Sequence, residues 1–203
     1  MTPYGRLTAI AVPLDDANID TGRIFPSRFL RKPRSAGYEK FLFCDLRYDE
    51  AGEERPDFIM NWAAYREARI IVAGANFACG SSRESAVYAL ADAGFRCVIA
   101  PSFGEIFFSN CFRNGLLPVV LSEDDVLELR QHLHEKPGSQ ITVALDQQLI
   151  LGPDGRDYHF EIETARKLRL TKGLDDAALA LEYLPAIELF EQRHHAEWRW
   201  AKS

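Results

Sequence analysis

Residues 76–85 (NFACGSSRES) carry the side chains that are best suited to chemistry. Ser81 and Ser82 supply hydroxyl donors, and Arg83 supplies a rigid guanidinium fork that matches a carboxylate. Gly80 lets the backbone approach a ligand closely. The segment lies between a predicted buried strand and a predicted helix start, where free N–H groups and the positive end of the helix dipole favour an anion. These residues therefore predict a loop that could bind a carboxylate.

Helix capping offers a second interpretation of the same residues. Ser81 and Glu84 have the spacing of a capping box, in which the serine accepts from a backbone N–H and the glutamate reaches back. Ser102 and Glu105 repeat this spacing before the next predicted helix. Spacing alone leaves both interpretations open, an anion site or a plain helix cap.

The segments around this loop predict a mixed α/β domain. Short apolar runs predict strands at residues 7–12, 69–73, 98–100, 116–121, 140–145, 148–151 and 158–162. Helical patterns lie at residues 83–93, 102–115, 122–134 and 175–198. Because strand and helix alternate with short connections in the middle of the chain, we expect right-handed crossovers and a parallel sheet.

One long segment, residues 37–61, shows no regular period and is rich in aromatic and charged residues. A segment of this kind inside a compact domain is usually a functional loop or a binding surface. A covered meander that packs on the core fits the composition equally well. Both interpretations remain open.

Composition excludes several classes of function. A net charge of −6 argues against a nucleic-acid surface, because such domains usually carry a basic patch. No window approaches the roughly 20 apolar residues of a membrane helix, and the start of the chain lacks the pattern of a signal peptide. We therefore expect a cytoplasmic protein without a membrane segment.

The four cysteines have no spacing typical of a zinc site or an iron–sulfur cluster. We expect free and mostly buried thiols. The residues are Cys44, Cys79, Cys97 and Cys111.

Several motifs, in order along nearly the whole chain, resemble one known family. They are residues 12–15 (VPLD), 18–21 (NIDT), 29–30 (FL), 80–84 (GSSRE), 99–103 (IAPSF) and 110–118 (NCFRNGLLP). With them the chain resembles the small subunits of 3-isopropylmalate dehydratase and, more distantly, the swivelling C-terminal domain of aconitase.

The resemblance implies a fold and a partner. The fold would be a three-layer swivelling β/β/α domain with a mostly parallel sheet, with residues 1–203 forming a single domain. A separate large subunit would hold a [4Fe–4S] cluster, and this chain would hold neither cofactor nor metal. Together they would isomerise 2-isopropylmalate to 3-isopropylmalate by dehydration and rehydration in leucine biosynthesis.

The resemblance also implies roles for individual residues. Ser81 would be the general base, while Ser82 and Arg83, with Gly80, would bind the carboxylates of a small dicarboxylate substrate. Arg31 and Arg34 lie, with Arg28, in the loop where related enzymes select substrates, and one of them could reach a carboxylate. Three arginines within seven positions are equally typical of a solvated basic face.

Three positions depart from the family pattern. Gly22 stands where the family usually has Asp, Ser85 where it usually has His, and Ala78 where it usually has Gly. These departures keep two alternatives open. One is a related hydro-lyase for another 2-hydroxy dicarboxylate, and the other is a non-catalytic module that binds a dicarboxylate or another protein.

Overall fold

The computed structural model describes residues 1–80, 83–198 and 200. Within these residues, seven strands form one sheet in the order β4-β3-β2-β1-β5-β6-β7. Their bounds are β1 Arg6–Leu14, β2 Ile70–Ala73, β3 Cys97–Ala100, β4 Leu117–Val120, β5 Gln140–Ala144, β6 Leu149–Leu151 and β7 Asp157–His159. Each predicted strand is present, within a few residues of its predicted bounds.

The strand pairing divides the sheet into two halves. Strands β1 to β4 pair in parallel, with Val12 opposite Ile71. Strands β5, β6 and β7 each pair antiparallel with the strand before them in the sheet. Five of the seven described strands, all except β5 and β7, consequently point the same way. The predicted mostly parallel α/β sheet is confirmed.

The helices of the described chain are α1 Thr21–Ile24, α2 Cys44–Arg47, α3 Ser85–Asp92, α4 Glu105–Arg113, α5 Glu123–Glu135, α6 Thr164–Lys172, α7 Asp176–Glu182 and α8 Leu184–Glu197. Helices α3, α4, α5, α7 and α8 lie within a few residues of the predicted helical segments. The cap of α5 is the predicted one, because Ser122 Oγ accepts from the Asp125 N–H at 3.1 Å. Helices α1, α2 and α6 were not predicted. No helix of the described residues is long and apolar enough to cross a membrane.

The sheet separates two apolar cores, which makes a three-layer fold. Successive side chains of a strand point to opposite faces, so in β2 Ile71 packs in one core and Val72 in the other. Leu90 of α3 lies in the first core and Leu129 of α5 in the second. Burying one such side chain contributes about 1.5–3 kcal/mol. Packing on both faces of the sheet therefore holds in place the edge at which β1, β2 and β3 end.

Residues 37–61 form a meander whose two ends pack on the core, while residues 49–57 between them are exposed. Leu42 and Phe43 are fully buried, and Tyr38 is 7% exposed, all within the first core. Short 3-10 turns and α2 connect them. Of the two interpretations of this segment, the packed meander is the one that the buried aromatic side chains support.

The capping box predicted at Ser102 and Glu105 is wrong, while the one predicted at Ser81 and Glu84 includes Ser81, which lies outside the described residues. Helix α4 begins at Glu105 after Gly104 without a side-chain cap, because Ser102 Oγ instead accepts from the Asn76 N–H at 2.8 Å. Helix α3 begins only at Ser85, and its N-cap residue is Glu84. A capping box would need Glu84 three residues inside the helix rather than before it.

Candidate active site

Two loops lie side by side at the carboxyl edge of the sheet. One follows β1 and the other follows β2. The Asn18 N–H donates to the Ala75 carbonyl at 2.9 Å, and the Ala78 N–H donates to the Ile19 carbonyl at 2.6 Å. The Thr21 N–H donates to the Cys79 carbonyl at 2.9 Å. These bonds fix the position of residue 80 against the start of α1.

A third loop, after β3, packs on the second. The Phe77 N–H donates to the Ser102 carbonyl at 3.0 Å, and the Gly104 N–H returns to the Phe77 carbonyl at 2.9 Å. A Cβ on Gly104 would lie 2.4 Å from the Ala78 carbonyl oxygen, which is closer than atoms can approach. Glycine is therefore required there for the loops to meet.

The first two loops border a cavity of about 310 Å³. Its lining comes from the start of α1, the turn after it, and the start of α3. The residues are Asp20, Thr21, Gly22, Phe25, Ser27, Leu30, Gly80, Arg83, Ser85 and Ala86. Residues about sixty positions apart in the sequence thus share one site. Ligands of open α/β sheets commonly bind at such an edge.

Two of the predicted binding residues meet at this cavity. Gly80 has φ +97°, a conformation that glycine adopts readily. The Arg83 side chain is exposed, and its guanidinium has no partner among the residues that the structure describes. An anion entering the cavity would meet this fork and the free N–H groups at the start of α3.

Ser81 and Ser82 lie outside the described residues. Gly80 before them and Arg83 after them both line the cavity. Catalysis by Ser81 and binding by Ser82 therefore remain predictions.

Glu84 is engaged by a residue of its own helix. The Tyr88 hydroxyl donates to the Glu84 carboxylate, and this hydrogen bond raises the pKa of Tyr88. The Tyr88 ring also lies under the Arg34 guanidinium, 4.4 Å from the ring centroid. Glu84 thus links the segment of Arg83 to the loop that carries Arg34.

The three loop arginines are separated by the fold. Arg34 donates to both carboxylate oxygens of Asp92, with Nε to Oδ2 at 2.9 Å. Arg28 pairs with Asp45. Arg31 is exposed, and within the described part of the chain its guanidinium has no partner. None of the three is among the described residues that line the cavity. Arg31 comes nearest to it in the sequence, since it follows Leu30.

The two main departures from the family pattern lie in the same cavity. Gly22 and Ser85 both line it, although they come from different helix starts. A Cβ on Gly22 would lie 3.0 Å from Asp20 Oδ1, and this oxygen accepts from the Arg23 N–H at 2.9 Å to cap α1. A side chain at position 22 would therefore press on the carboxylate of Asp20.

Sequence reasoning missed part of the lining. Asp20 was noted only as part of a motif, and Phe25, Ser27 and Leu30 were not singled out as site residues. A signal was present, because residues 18–21 and 29–30 belong to the motifs that carry the resemblance. The motifs did not show that α1 contacts α3 in the folded chain.

All four cysteines are free thiols as expected, but only two of the four are buried. Cys97 and Cys111 are fully buried, and burial raises the pKa of both. Cys44 and Cys79 are partly exposed. No three Cys, His, Asp or Glu side chains come together as a possible metal site in the described ranges.

Comparisons of the sequence and of the structure with known proteins identify the same family. Residues 1–124 match the family model of the aconitase C-terminal domain. A solved structure of 3-isopropylmalate dehydratase (LeuD) from Methanocaldococcus jannaschii superposes with a TM-score of 0.62 at 26% identity, over 93% of this chain and 98% of that chain. The chain therefore belongs to the aconitase C-terminal domain family.

Sequence relatives narrow the assignment. The 3-isopropylmalate dehydratase small subunit of Dinoroseobacter shibae is 45% identical over 200 residues, covering 98% of this chain and 100% of that protein. The small subunit of Paramagnetospirillum magneticum is 46% identical over 98% of this chain and 100% of that protein. That of Jannaschia sp. is 47% identical over 191 residues, or 94% of this chain and 95% of that protein. Within the larger family, the chain is thus a member of the 3-isopropylmalate dehydratase small subunits, and the predicted resemblance is confirmed.

Proposed function

We propose that this chain is the cytoplasmic small subunit of a 3-isopropylmalate dehydratase, a hydro-lyase of leucine biosynthesis that isomerises 2-isopropylmalate to 3-isopropylmalate. The observation that carries the proposal is 45–47% identity with small subunits of that enzyme over nearly the whole chain. The cavity supports it, because Arg83 and the start of α3 face a second chain segment at one edge of the sheet. The chain would act as one swivelling domain of residues 1–203.

A small subunit implies a large partner subunit. We propose that the partner holds the [4Fe–4S] cluster, whose open iron would act as a Lewis acid on the substrate hydroxyl. The described residues of this chain offer no group of three ligand side chains, so no cluster ligand is assigned to it.

The contribution of this chain would be a base and an anion cradle. Dehydration takes a proton from the carbon next to one carboxylate and the hydroxyl from the neighbouring carbon, and rehydration returns them in exchanged positions. Ser81 is the proposed base. A serine hydroxyl is a weak base unless its alkoxide is stabilised, and Arg83 and the start of α3 supply positive potential in the same segment.

The substrate carboxylates would bind to Arg83, Ser82 and the backbone at Gly80. Arg31 is the loop arginine best available for a second carboxylate, because its guanidinium has no partner among the described residues. Substrate binding by Arg34 stays a prediction. It would require the guanidinium to leave Asp92, to which it is hydrogen-bonded at 2.6–3.2 Å.

A related substrate is the second candidate function. It is favoured by one observation: Gly22 and Ser85, where the family usually has Asp and His, both line the cavity. Their small side chains remove an ionisable group and an imidazole from the lining. A different 2-hydroxy dicarboxylate would suit such a cavity.

The test is reconstitution with the large subunit of the dehydratase from the same organism. The purified complex is assayed against 2-isopropylmalate and a panel of other 2-hydroxy diacids, and the isolated chain serves as control. We expect turnover of 2-isopropylmalate by the complex and none by the isolated chain. A higher kcat/KM for another diacid would establish the second candidate. A complex that forms but turns over no diacid would instead indicate a non-catalytic binding module.

A further inference from the structure

A second cavity lies at the amino edge of the sheet, opposite the candidate active site. It has a volume of about 360 Å³, within the range of ~300–1,000 Å³ that is typical of small-ligand sites. Three arginines line it, and none of the described residues that line it is an aspartate or a glutamate. The lining, here called the arginine cavity, consists of residues 2–7, Arg69 and Arg96.

The topology of the sheet brings the three arginines together. Arg6 is the first residue of β1, while Arg69 and Arg96 immediately precede β2 and β3. These strands are parallel neighbours, so their starts share one edge of the sheet and their carboxyl ends share the other. The Arg96 N–H donates to the Arg69 carbonyl at 2.9 Å, and the Arg69 N–H donates to the Ile10 carbonyl at 3.0 Å. The backbone therefore fixes these arginines on the edge away from Arg83.

Two of the three guanidinium groups have no partner in the part of the chain that the structure describes. Arg6 and Arg69 are exposed, and neither side chain forms a hydrogen bond or an ion pair with a described residue. Asp146 borders a smaller neighbouring cavity together with Arg6, but the two form no ion pair. Arg23 and Arg66, by contrast, each pair with a carboxylate. Unpaired positive charge in a concave site indicates that the cavity binds an anion.

The third arginine, Arg96, is held in position by the N-terminal segment. Its Nη2 donates to the Thr2 carbonyl at 3.1 Å and to the Pro3 carbonyl at 3.4 Å. Its guanidinium lies 5.3 Å from the centroid of the Tyr4 ring, and Tyr4 is buried in the second core. Carbonyl oxygens and a ring face orient the guanidinium but do not neutralise its charge. The Arg96 fork is thus preorganised for an anion.

Helix capping explains only part of this cluster. Arg96 follows the end of α3 by four residues, where a cation complements the negative end of the helix dipole. Arg6 has no such role, because no helix precedes it in the chain. A ligand that is shared by all three arginines accounts for the whole cluster.

We propose that the arginine cavity is a binding site for a phosphate group, either inorganic phosphate or a small phosphomonoester. A phosphate group carries a charge of about −1.5 to −2 at pH 7 and several strong acceptor oxygens, so it can accept from forks that come from three strands. A carboxylate carries one charge and two oxygens in one plane, which a single arginine fork satisfies. The proposal is independent of the proposed function, since the two cavities share no lining residue.

The experiment is isothermal titration calorimetry of the full chain with inorganic phosphate and, separately, with glycerol phosphate. Ionic strength is held constant, because salt screens exposed charges. The test variant is Arg6→Gln with Arg69→Gln, and the matched control is Arg55→Gln with Arg193→Gln. All four arginines are exposed, and the control pair does not line the arginine cavity. Each variant loses two positive charges, and neither should lose stability.

We expect one phosphate to bind per wild-type chain with a Kd of about 1 mM or lower. The test variant should bind at least about tenfold more weakly, because it loses hydrogen bonds to a charged group, whereas the control should stay within about threefold. Phosphate should also raise the Tm of the wild-type and control chains more than that of the test variant, since it binds only the folded state. Equal affinity in the wild-type and test chains would overturn the proposal.

The choice of probes identifies the ligand. Equal binding of inorganic phosphate and glycerol phosphate supports a site for the phosphate group itself, while tighter binding of the ester supports a phosphomonoester site. Malate is the comparison anion: if it binds as tightly as phosphate and with the same dependence on Arg6 and Arg69, the assignment to phosphate is wrong.

An acidic segment of a partner protein is the competing occupant. Association with the large subunit is therefore measured for the same three proteins by biolayer interferometry. A wild-type chain that binds neither phosphate compound would overturn the proposal. Weaker association of the test variant alone would in that case assign the arginine cavity to a protein contact.

Discussion

At the scale of single residues, the cavity places a guanidinium that has no partner among the described residues beside a glycine and a serine. Arg83 offers the fork for a carboxylate, while Gly22 and Ser85 leave room around it. Arg28 and Arg34 differ from Arg83, because each forms an ion pair with a carboxylate.

Ser81→Ala separates catalysis from a structural role. If Ser81 is the base, turnover of the complex falls by orders of magnitude while the free energy of unfolding changes little. Ser122→Ala is the control, because Ser122 does cap a helix. It should lose about 1 kcal/mol of stability and keep its turnover. A Ser81→Ala complex with more than a tenth of wild-type turnover would refute the catalytic role; steady-state kinetics and thermal melting supply both readings.

Arg83→Lys keeps the charge but loses the bidentate fork. Substrate binding should weaken by about 1–3 kcal/mol, the range for hydrogen bonds to charged groups. KM and kcat of the reconstituted complex are the measurement. Arg28→Lys, at an exposed ion pair with Asp45, should leave both unchanged. Unaltered kinetics in Arg83→Lys would show that this side chain has no part in substrate recognition.

Gly22→Asp with Ser85→His restores the usual residues of the family. Groups next to a metal site typically change activity 10–100-fold, so we expect kcat/KM for 2-isopropylmalate to rise. Ser85→His should also be measured alone, because a side chain at position 22 must displace the Asp20 carboxylate that caps α1. The single variant avoids this strain. A wild-type complex that already reaches a kcat near ~10 per second with 2-isopropylmalate would show that both positions are neutral.

At the scale of elements, one ion pair fastens the loop after α1 to α3. Arg34 holds Asp92 near the end of α3 and stacks on Tyr88, which in turn donates to Glu84 before the helix. Phe29 and Phe41 stack with centroids 4.2 Å apart and close the loop on itself. The wall of the cavity at Leu30 therefore depends on contacts made outside the cavity.

A double-mutant cycle tests this fastening. Arg34→Ala and Asp92→Ala should each lower stability, with a coupling of about 1 kcal/mol, since the pair is partly exposed but bidentate and stacked. Urea unfolding measures it. Turnover separates the two roles of Arg34: if the arginine binds substrate, only Arg34→Ala raises KM, whereas a fastening role makes the two variants alike. A coupling near zero would leave the ion pair without structural importance.

At the scale of the whole molecule, the chain is one part of an enzyme. It presents a cavity of about 310 Å³ at one edge of its sheet. A partner subunit that covers this cavity would close the site.

The isolated chain should therefore be colourless and inactive. Its cysteines lack the spacing of cluster ligands, and two of the four are fully buried with a raised pKa, which keeps them as thiols. Anaerobic treatment with iron and sulfide should leave no visible absorption band. Iron content and absorption are measured on the chain alone, with the reconstituted large subunit as positive control. A stoichiometric [4Fe–4S] signal on the isolated chain would refute the division of labour between the subunits.

The sequence alone determined the order of the strands, the helices α3, α4, α5, α7 and α8, and the family. Continuous apolar runs such as residues 70–73 mark buried strands, because a strand covered on both faces needs no polar side chains. The prediction of Ser122 as a cap is confirmed, since among the described residues its hydroxyl bonds only to Asp125 of its own helix. The motif order along the chain was enough to recognise the family.

Only the tertiary structure decided which residues form the site. Ser102 has the spacing of a cap, but the Asn76 N–H of another loop takes its hydroxyl. Gly22 and Ser85 became neighbours in one cavity, whereas Arg34 bonds to Asp92 and does not line that cavity. The physical reason is that capping patterns and charges are local, whereas hydrogen-bond partners are chosen among all groups that the packed sheet brings together.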